Sequence, residues 1–350
     1  MLAKTTKNIR ITKEQLFNQQ VQMISEGLKP HLNPDLAKLL SEQLLRGVEG
    51  GSEINAFNNW LQNRFLPQLI WLDKDDYTRA ITRALPQALK MTASDFGSSR
   101  QRDLGQLWTD TARGFMGEIA VKKFLEEKFN TIVEPDISTD KTIDEYISTD
   151  IKSVSKILGV NMVSRPPHQK ISIKTGKFNA RWLDEYSAKK AQNIDIFIFV
   201  RIGTGRDHFI AFLKSISFLG TKLFPEAERL GELNAETKES LWNSIPTFQG
   251  IPAYISGFLL RKNLKLPIHS IKAKLSGKNN KKIVILEGVG EFSLNTLHQH
   301  PQIVSIDPKG ELKIVIDGLD REIDNNPHFF ANTGSLGWGV NSWRSIISSL

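Results

Sequence analysis

The stretch Arg113-Gly-Phe-Met-Gly-Glu-Ile-Ala-Val-Lys-Lys-Phe-Leu-Glu-Glu-Lys-Phe129 and the run Ile194-Asp-Ile-Phe-Ile-Phe-Val-Arg-Ile202 bracket the part of the chain that decides its fold. In the first, Phe115, Ile119, Val121, Phe124, Leu125 and Phe129 lie around most of a helical circumference. A helix apolar on nearly every side is a buried one. The second is a run of strand length, apolar but for Asp195 and Arg201, as expected of a strand covered on both faces. Between them the sequence predicts strands over Thr131–Asp136, Glu145–Val154 and Lys170–Thr175, the last two with partial period-two patterning, and a helix from about Asn179 to Gln192. The resulting order is helix, three strands, helix, strand. It gives an α+β class with a mixed sheet.

Around this core the pattern changes. Residues 13–95 read as helical, opening with Thr12 as a candidate N-cap. After Thr204 the chain turns mixed and β-rich, with strands expected at His208–Leu213, Ala253–Leu260, Lys282–Glu287 and Glu311–Ile316. The expected organisation is a helical region over 1–95, a core over 96–220 and a β-rich region over 221–350. Gly334–Gly339 reads as a packed C-terminal loop.

Composition narrows the function. The 350 residues include 46 Lys+Arg against 38 Asp+Glu, a net charge of +8, and no Cys. Without cysteine there is no disulfide, thiolate zinc site or thiol nucleophile. No stretch has the length of a membrane span and the N-terminus lacks the apolar run of a signal peptide, so the expectation is a cytoplasmic protein with no membrane partner. The charge is concentrated. Ile151–Leu183 and Ser240–Leu286 hold no acid, and together they carry 15 of the bases, leaving 31 bases against all 38 acids elsewhere. Two concentrated basic segments suit a polyanion such as nucleic acid.

The acids cluster just upstream of the first of these segments, in Glu134-Pro-Asp136-Ile-Ser-Thr-Asp140-Lys-Thr-Ile-Asp144-Glu-Tyr-Ile-Ser-Thr-Asp150. A calcium loop starting at Asp136 fails, because its sixth position is Lys141 rather than Gly and its twelfth is Ile147 rather than Glu. Metal-assisted phosphodiester hydrolysis fits better. It needs hard oxygen ligands for Mg²⁺, a nearby lysine to orient water and offset developing charge, and basic flanks to hold the backbone. On the second expected strand, Asp150 shares a face with Ser148 and Lys152. On the third, Ser172 and Lys174 share a face opposite Ile171 and Ile173. If these strands pair, Asp150 and Lys174 can meet. Glu118 lies on a helical stripe with Val121 and Leu125, where a carboxylate is costly unless satisfied.

Gly117-Glu118-Ile-Ala, Thr149-Asp150-Ile, Ile171-Ser-Ile-Lys174-Thr, Trp182-Leu183 and Asp195-Ile-Phe-Ile-Phe-Val200, taken with the element order, resemble the PD-(D/E)xK nuclease superfamily and, within it, the type II restriction endonucleases. The resemblance covers residues 113–202. It implies a restriction-endonuclease-like α-β-β-β-α-β core and a Mg²⁺-dependent endonuclease cutting double-stranded DNA as a homodimer. Two registers stand open. In one, Pro135-Asp136 and Asp150-Ile-Lys152 supply the motif. In the other, Asp150 is the metal aspartate and Ser172-Ile-Lys174 occupies the (D/E)xK place, with Ser172 where an acid is expected and Glu118 as its substitute. The candidate catalytic set is therefore Asp150, Lys174, Glu118, Asp136 and Lys152, with Asp150, Glu118 and Asp136 as metal ligands. Candidate DNA contacts are Arg165, His168, Lys170, Lys177 and Arg181 from the first basic segment. Arg261, Lys262, Lys272, Lys274 and Lys278 come from the second. The loop Ser155–Gln169 would enter a groove. A non-catalytic DNA-binding protein and a structure-specific repair or recombination nuclease on the same core are the rival readings.

Overall fold

The computed structural model describes residues 12–49, 53–95, 103–136, 149–158, 161–185, 193–263, 271–276, 281–286, 301–306, 312–316 and 329–350. It is a mixed α+β chain built on a mixed sheet. Among the described residues no helix is long and apolar enough to cross a membrane.

The helical N-terminal region forms as expected. α1 (Lys13–Leu28) opens on Thr12, which makes a reciprocal capping box with Gln15. α2 (Pro34–Arg46) starts with Asn33 as its cap and Pro at its first turn. α3 (Ile54–Trp60) runs through a short π-helical turn and a 3₁₀ turn into β1 (Leu69–Leu72). The sequence reading placed no strand there. α4 (Lys74–Asp95) and α5 (Leu104–Phe129) follow, α5 capped by Asp103 and closed by Asn130 in the left-handed conformation (φ 56°).

The main sheet has the order β1-β8-β7-β5, where β5 is Ile171–Lys177, β7 is Ile196–Ile202 and β8 is Ile251–Leu260. β5 and β7 are parallel; the other pairs are antiparallel. β1 thus brings the N-terminal region into the same sheet as the core and the C-terminal region. A second sheet holds β2 (Ile132–Pro135), β3 (Ile151–Leu158) and β4 (Asn161–Arg165), all antiparallel. β6 (Trp182–Glu185) pairs with β13 (Phe329–Asn332). Two hairpins, β9 (Ile271–Ser276) with β10 (Lys281–Leu286) and β11 (Pro301–Ile306) with β12 (Leu312–Ile316), complete the strands.

β7 is buried on both faces, as its apolar run Ile196–Val200 requires. Ile196, Ile198, Val200 and Ile202 face a core shared with α4 and α5; Phe197 and Phe199 face Leu183, Leu259, Ala331 and Leu336. An aromatic cluster also forms around the C-terminal helix. α9 (Val340–Ser348) was not expected from sequence; it inserts Trp343 against Phe124, Phe129 and Phe258. Gly257 has φ 141° and lies so close to Gly337 that a side chain there would strike its carbonyl, so this bulge of β8 requires glycine.

Other sequence expectations are corrected. Residues 182–185 form a strand, not part of a helix from Asn179 to Gln192, because β13 supplies a pairing partner far away in sequence. His208–Leu213 belongs to α6 (His208–Ser215), not to a strand. It is followed by α7 (Phe224–Arg229) and α8 (Ala235–Ser244). The expected loop Ser155–Gln169 is mostly the β3–β4 hairpin. The strand expected over Glu145–Val154 starts only at Ile151 among the described residues, so Asp150 sits in the bend before it.

Candidate functional site at the edge of strand β5

β5 is the last strand of the main sheet, so its outer edge needs partners for its N–H and C=O groups. Thr149 and Asp150 supply them. The Asp150 N–H donates to Ile171 O at 2.8 Å, and the Ile171 N–H donates to Thr149 Oγ1 at 3.2 Å. The Ile173 N–H donates to Asp150 Oδ2 at 2.5 Å. The Asp150 side chain therefore stands where a neighbouring strand would put a carbonyl. That fixes its orientation and leaves Oδ1 for other partners. On its other side, the Asp136 N–H donates to Asp150 O at 3.0 Å, bringing both candidate aspartates to the end of the β2–β3 ladder.

The two faces of β5 have different neighbours. Ile171, Ile173 and Thr175 face α5, where Thr175 lies directly against Gly117 and its hydroxyl donates to Gly114 O at 3.5 Å. Glu118 follows Gly117 on that helix and is half-buried. One turn on, Lys122 pairs with Glu134 of β2 at 2.8 Å. Glu118 thus sits between the α5 contacts to β5 and to β2. Ser172 and Lys174 occupy the opposite face of β5, as the alternation required. Lys174 Nζ lies 2.6 Å from Glu185 Oε2 of β6. This is a correction to the sequence expectation, which set Lys174 against Asp150 and Glu118. Lys174 is across the strand from the helix that carries Glu118, and its ion-pair partner is Glu185, a residue not singled out from sequence. Reading residues 179–192 as helix hid it, since strand alternation is what puts Leu183 and Glu185 on one face.

Lys152 is exposed and is the extra residue of a bulge, because Glu134 pairs with Ser153 and Pro135 with Ile151. Among the described residues no three His, Asp or Glu side chains come together as a metal-binding group, so Glu118, Asp136 and Asp150 are not gathered into one ligand set in this arrangement. Residues 137–148, with Asp140 and Asp144, lie outside the described residues, as does Lys278.

Parts of the two acid-free segments meet at one corner. The Lys170 N–H donates to Asp195 Oδ2 at 3.0 Å, the Arg261 N–H donates to Asp195 O at 2.8 Å, and Arg261 Nη2 lies 3.2 Å from Asp195 Oδ1. Lys170, Arg261 and Lys262 are all exposed there, next to the residues of β5 that Asp150 clasps. His168 is exposed, with its N–H donated to Leu350 O, and Lys177 is exposed at the far end of β5. Two expected DNA contacts are engaged within the chain instead. Arg165 Nη1 donates to Leu350 O at 2.5 Å, and Arg181 Nε donates to Arg46 O. Lys272 and Lys274 lie on β9.

A buried network ties the N-terminal region to this core. Arg201 and Glu49 form an ion pair with side chains 0% and 1% exposed. Arg201 also donates to Ser256 Oγ at 2.8 Å and Gly47 O at 2.7 Å, and its guanidinium lies 4.7 Å from the Tyr254 ring centre. Comparison with protein-family models, with curated proteins and with solved structures returns no match to this chain.

Proposed function

We propose that this protein is a Mg²⁺-dependent endonuclease of the restriction-endonuclease type, acting on double-stranded DNA. The observation that carries the reading is the position of Asp150. It is locked onto the edge of β5 by the Ile173 N–H, with Asp136 beside it, next to the corner where Lys170, Arg261 and Lys262 meet. The order α5, antiparallel β2 and β3, then β5 parallel to β7, supports it further.

The donors present suit a hard cation. Carboxylate oxygens are at hand and the chain has no thiol, and Mg²⁺ is commonly held by one or two carboxylates with waters and substrate phosphate. Asp150 would hold it, with Asp136 at the same end of the β2–β3 ladder; Glu118 of α5 is not gathered with them in this arrangement. Bound there, Mg²⁺ supplies Lewis-acid polarisation and a more acidic water. The protein's own residues do the rest. The Ile173 N–H keeps the Asp150 carboxylate from rotating. The basic corner holds the DNA backbone by its phosphates without reading sequence. The Lys174 ammonium stabilises negative charge as it develops on the phosphate.

Asp150 is shared by both motif registers, and the lysine separates them. The inward placement of Lys174 on a paired strand favours the second; Lys152 is exposed on a bulge. Lys174→Met is expected to abolish cleavage of long DNA in Mg²⁺, and Lys152→Met to leave it close to wild type. The opposite pattern would move the motif to Asp136 and Asp150-Ile-Lys152.

A further inference from the structure

On a strand, residues two apart share a face, so the acid of a (D/E)xK motif stands beside its lysine. Here that place belongs to Ser172, fully buried, with a hydroxyl that has no hydrogen-bond partner among the described residues. The carboxylate beside Lys174 comes from elsewhere. β6 is held by its ladder to β13, and its Leu183 and Glu185 point at the face of β5 and β7 that carries Lys174 and Phe199. The Glu185 side chain is 0% exposed and that of Lys174 17%.

An ion pair buried this deeply is a poor stabilising device. Desolvating both charges offsets most of their attraction, and an apolar pair of similar volume commonly does as well or better. What the pair does provide is a fixed position for an ammonium that keeps part of its surface open. We propose that Glu185 is the positioning residue of Lys174, holding its amine from a different strand. The inference rests on the nuclease reading above. Glu185 has no surface with which to reach DNA or metal; it acts through the lysine amine, held from behind on the strand whose edge carries Asp150.

The test is single-turnover cleavage of plasmid DNA in Mg²⁺ by wild type, Glu185→Gln and the double variant Ser172→Asp/Glu185→Gln, with melting temperature and DNA affinity in chelator measured on each. Misplacing a catalytic group by an ångström costs about 100-fold. Glu185→Gln is therefore expected to lose about that factor in the cleavage rate of the folded protein, with DNA affinity unchanged. The double variant recovers part of the rate, because a carboxylate returns to the same face. A purely structural pair would lower the melting temperature and leave the rate per folded molecule and the rescue flat, and that result would overturn the proposal. If Glu185→Gln does not fold, acylation of wild-type lysines followed by mass spectrometry decides. Lys174 should react much more slowly than the exposed Lys152 and Lys177, and equal reactivity overturns the proposal. Failure of wild type to cleave at all would remove the nuclease reading and this inference with it. Cleavage by wild type matched by Glu185→Gln would remove this inference alone.

Discussion

Replacing Asp150 in two ways separates its anchoring role from its chemistry. Asp150→Ala removes the acceptor for the Ile173 N–H, which sits on the one edge of β5 that has no full partner strand. A hydrogen bond to a charged group contributes about 1.5–3 kcal/mol, and Asp150 is half-buried rather than enclosed, which favours the lower part of that range. With an unfolding entropy of about 2.1 cal/mol/K per residue over 350 residues, each kcal/mol shifts the melting temperature by about 1.4 °C, so it should fall by about 2–3 °C. Asp150→Asn keeps a carbonyl oxygen at the same place, so it should cost under about 1 kcal/mol. Cleavage behaves differently. An amide is a poor ligand for a hard cation compared with a carboxylate, so both variants should bind DNA and neither should cut it in Mg²⁺. Calorimetry or a dye melt reads the first effect and plasmid nicking reads the second. An Asp150→Ala variant that melts with wild type would refute the anchoring argument. An Asp150→Asn variant that cuts at the wild-type rate would refute the metal role.

Glu49→Ala leaves the buried Arg201 without its counter-ion and takes away the acceptor of the Trp60 indole N–H, a bond of 2.8 Å. Breaking such a pair from one side costs about 3–5 kcal/mol, so chemical denaturation should show a loss of that size, and a loss under about 1 kcal/mol would contradict the buried-network description. Burial holds the His208 imidazole below its ordinary value of 6.5, against an opposing contribution from the Gly205 carbonyl. The unfolded chain therefore binds the extra proton first. The stability contributed by neutral His208 is complete above about pH 6.5 and is lost as pH falls below it. His208→Gln should flatten the melting temperature between pH 7.5 and 5.5 relative to wild type, and an unchanged slope would count against the burial argument.

The parts of the fold legible in the sequence are those where one signal had no competitor. The helix at Arg113–Phe129 and the strand at Ile194–Ile202 were legible from apolar coverage alone, and both appear with shifted starts and the expected C-terminal ends. β1 escaped because Leu69-Ile-Trp-Leu is only four residues long and lies inside a region read as helical throughout. β6 escaped because Trp182-Leu-Asp-Glu has no strand pattern of its own; it is a strand because β13, distant in sequence, pairs with it. The run His208-Phe-Ile-Ala-Phe-Leu213 suits either period, and Ala211 and Phe212, both buried on one side, settle it as helix. At the site, the face shared by Ser172 and Lys174 followed from alternation, whereas Asp150 sits in the bend before β3 rather than on the strand. The partners of Asp150 and Lys174 did not follow from it. Which backbone N–H Asp150 would clasp, and that Lys174 would face Glu185, both depend on strand pairings between residues far apart in the chain.

Incubation of the wild-type protein with long double-stranded DNA, once in Mg²⁺ and once in chelator, tests the central claim most directly. The structure and its nuclease reading predict strand breaks in Mg²⁺, none in chelator, and discrete bands where the recognition site is defined. Intact DNA in Mg²⁺, with the protein folded and bound to it, would contradict the nuclease assignment and leave a DNA-binding protein without catalysis.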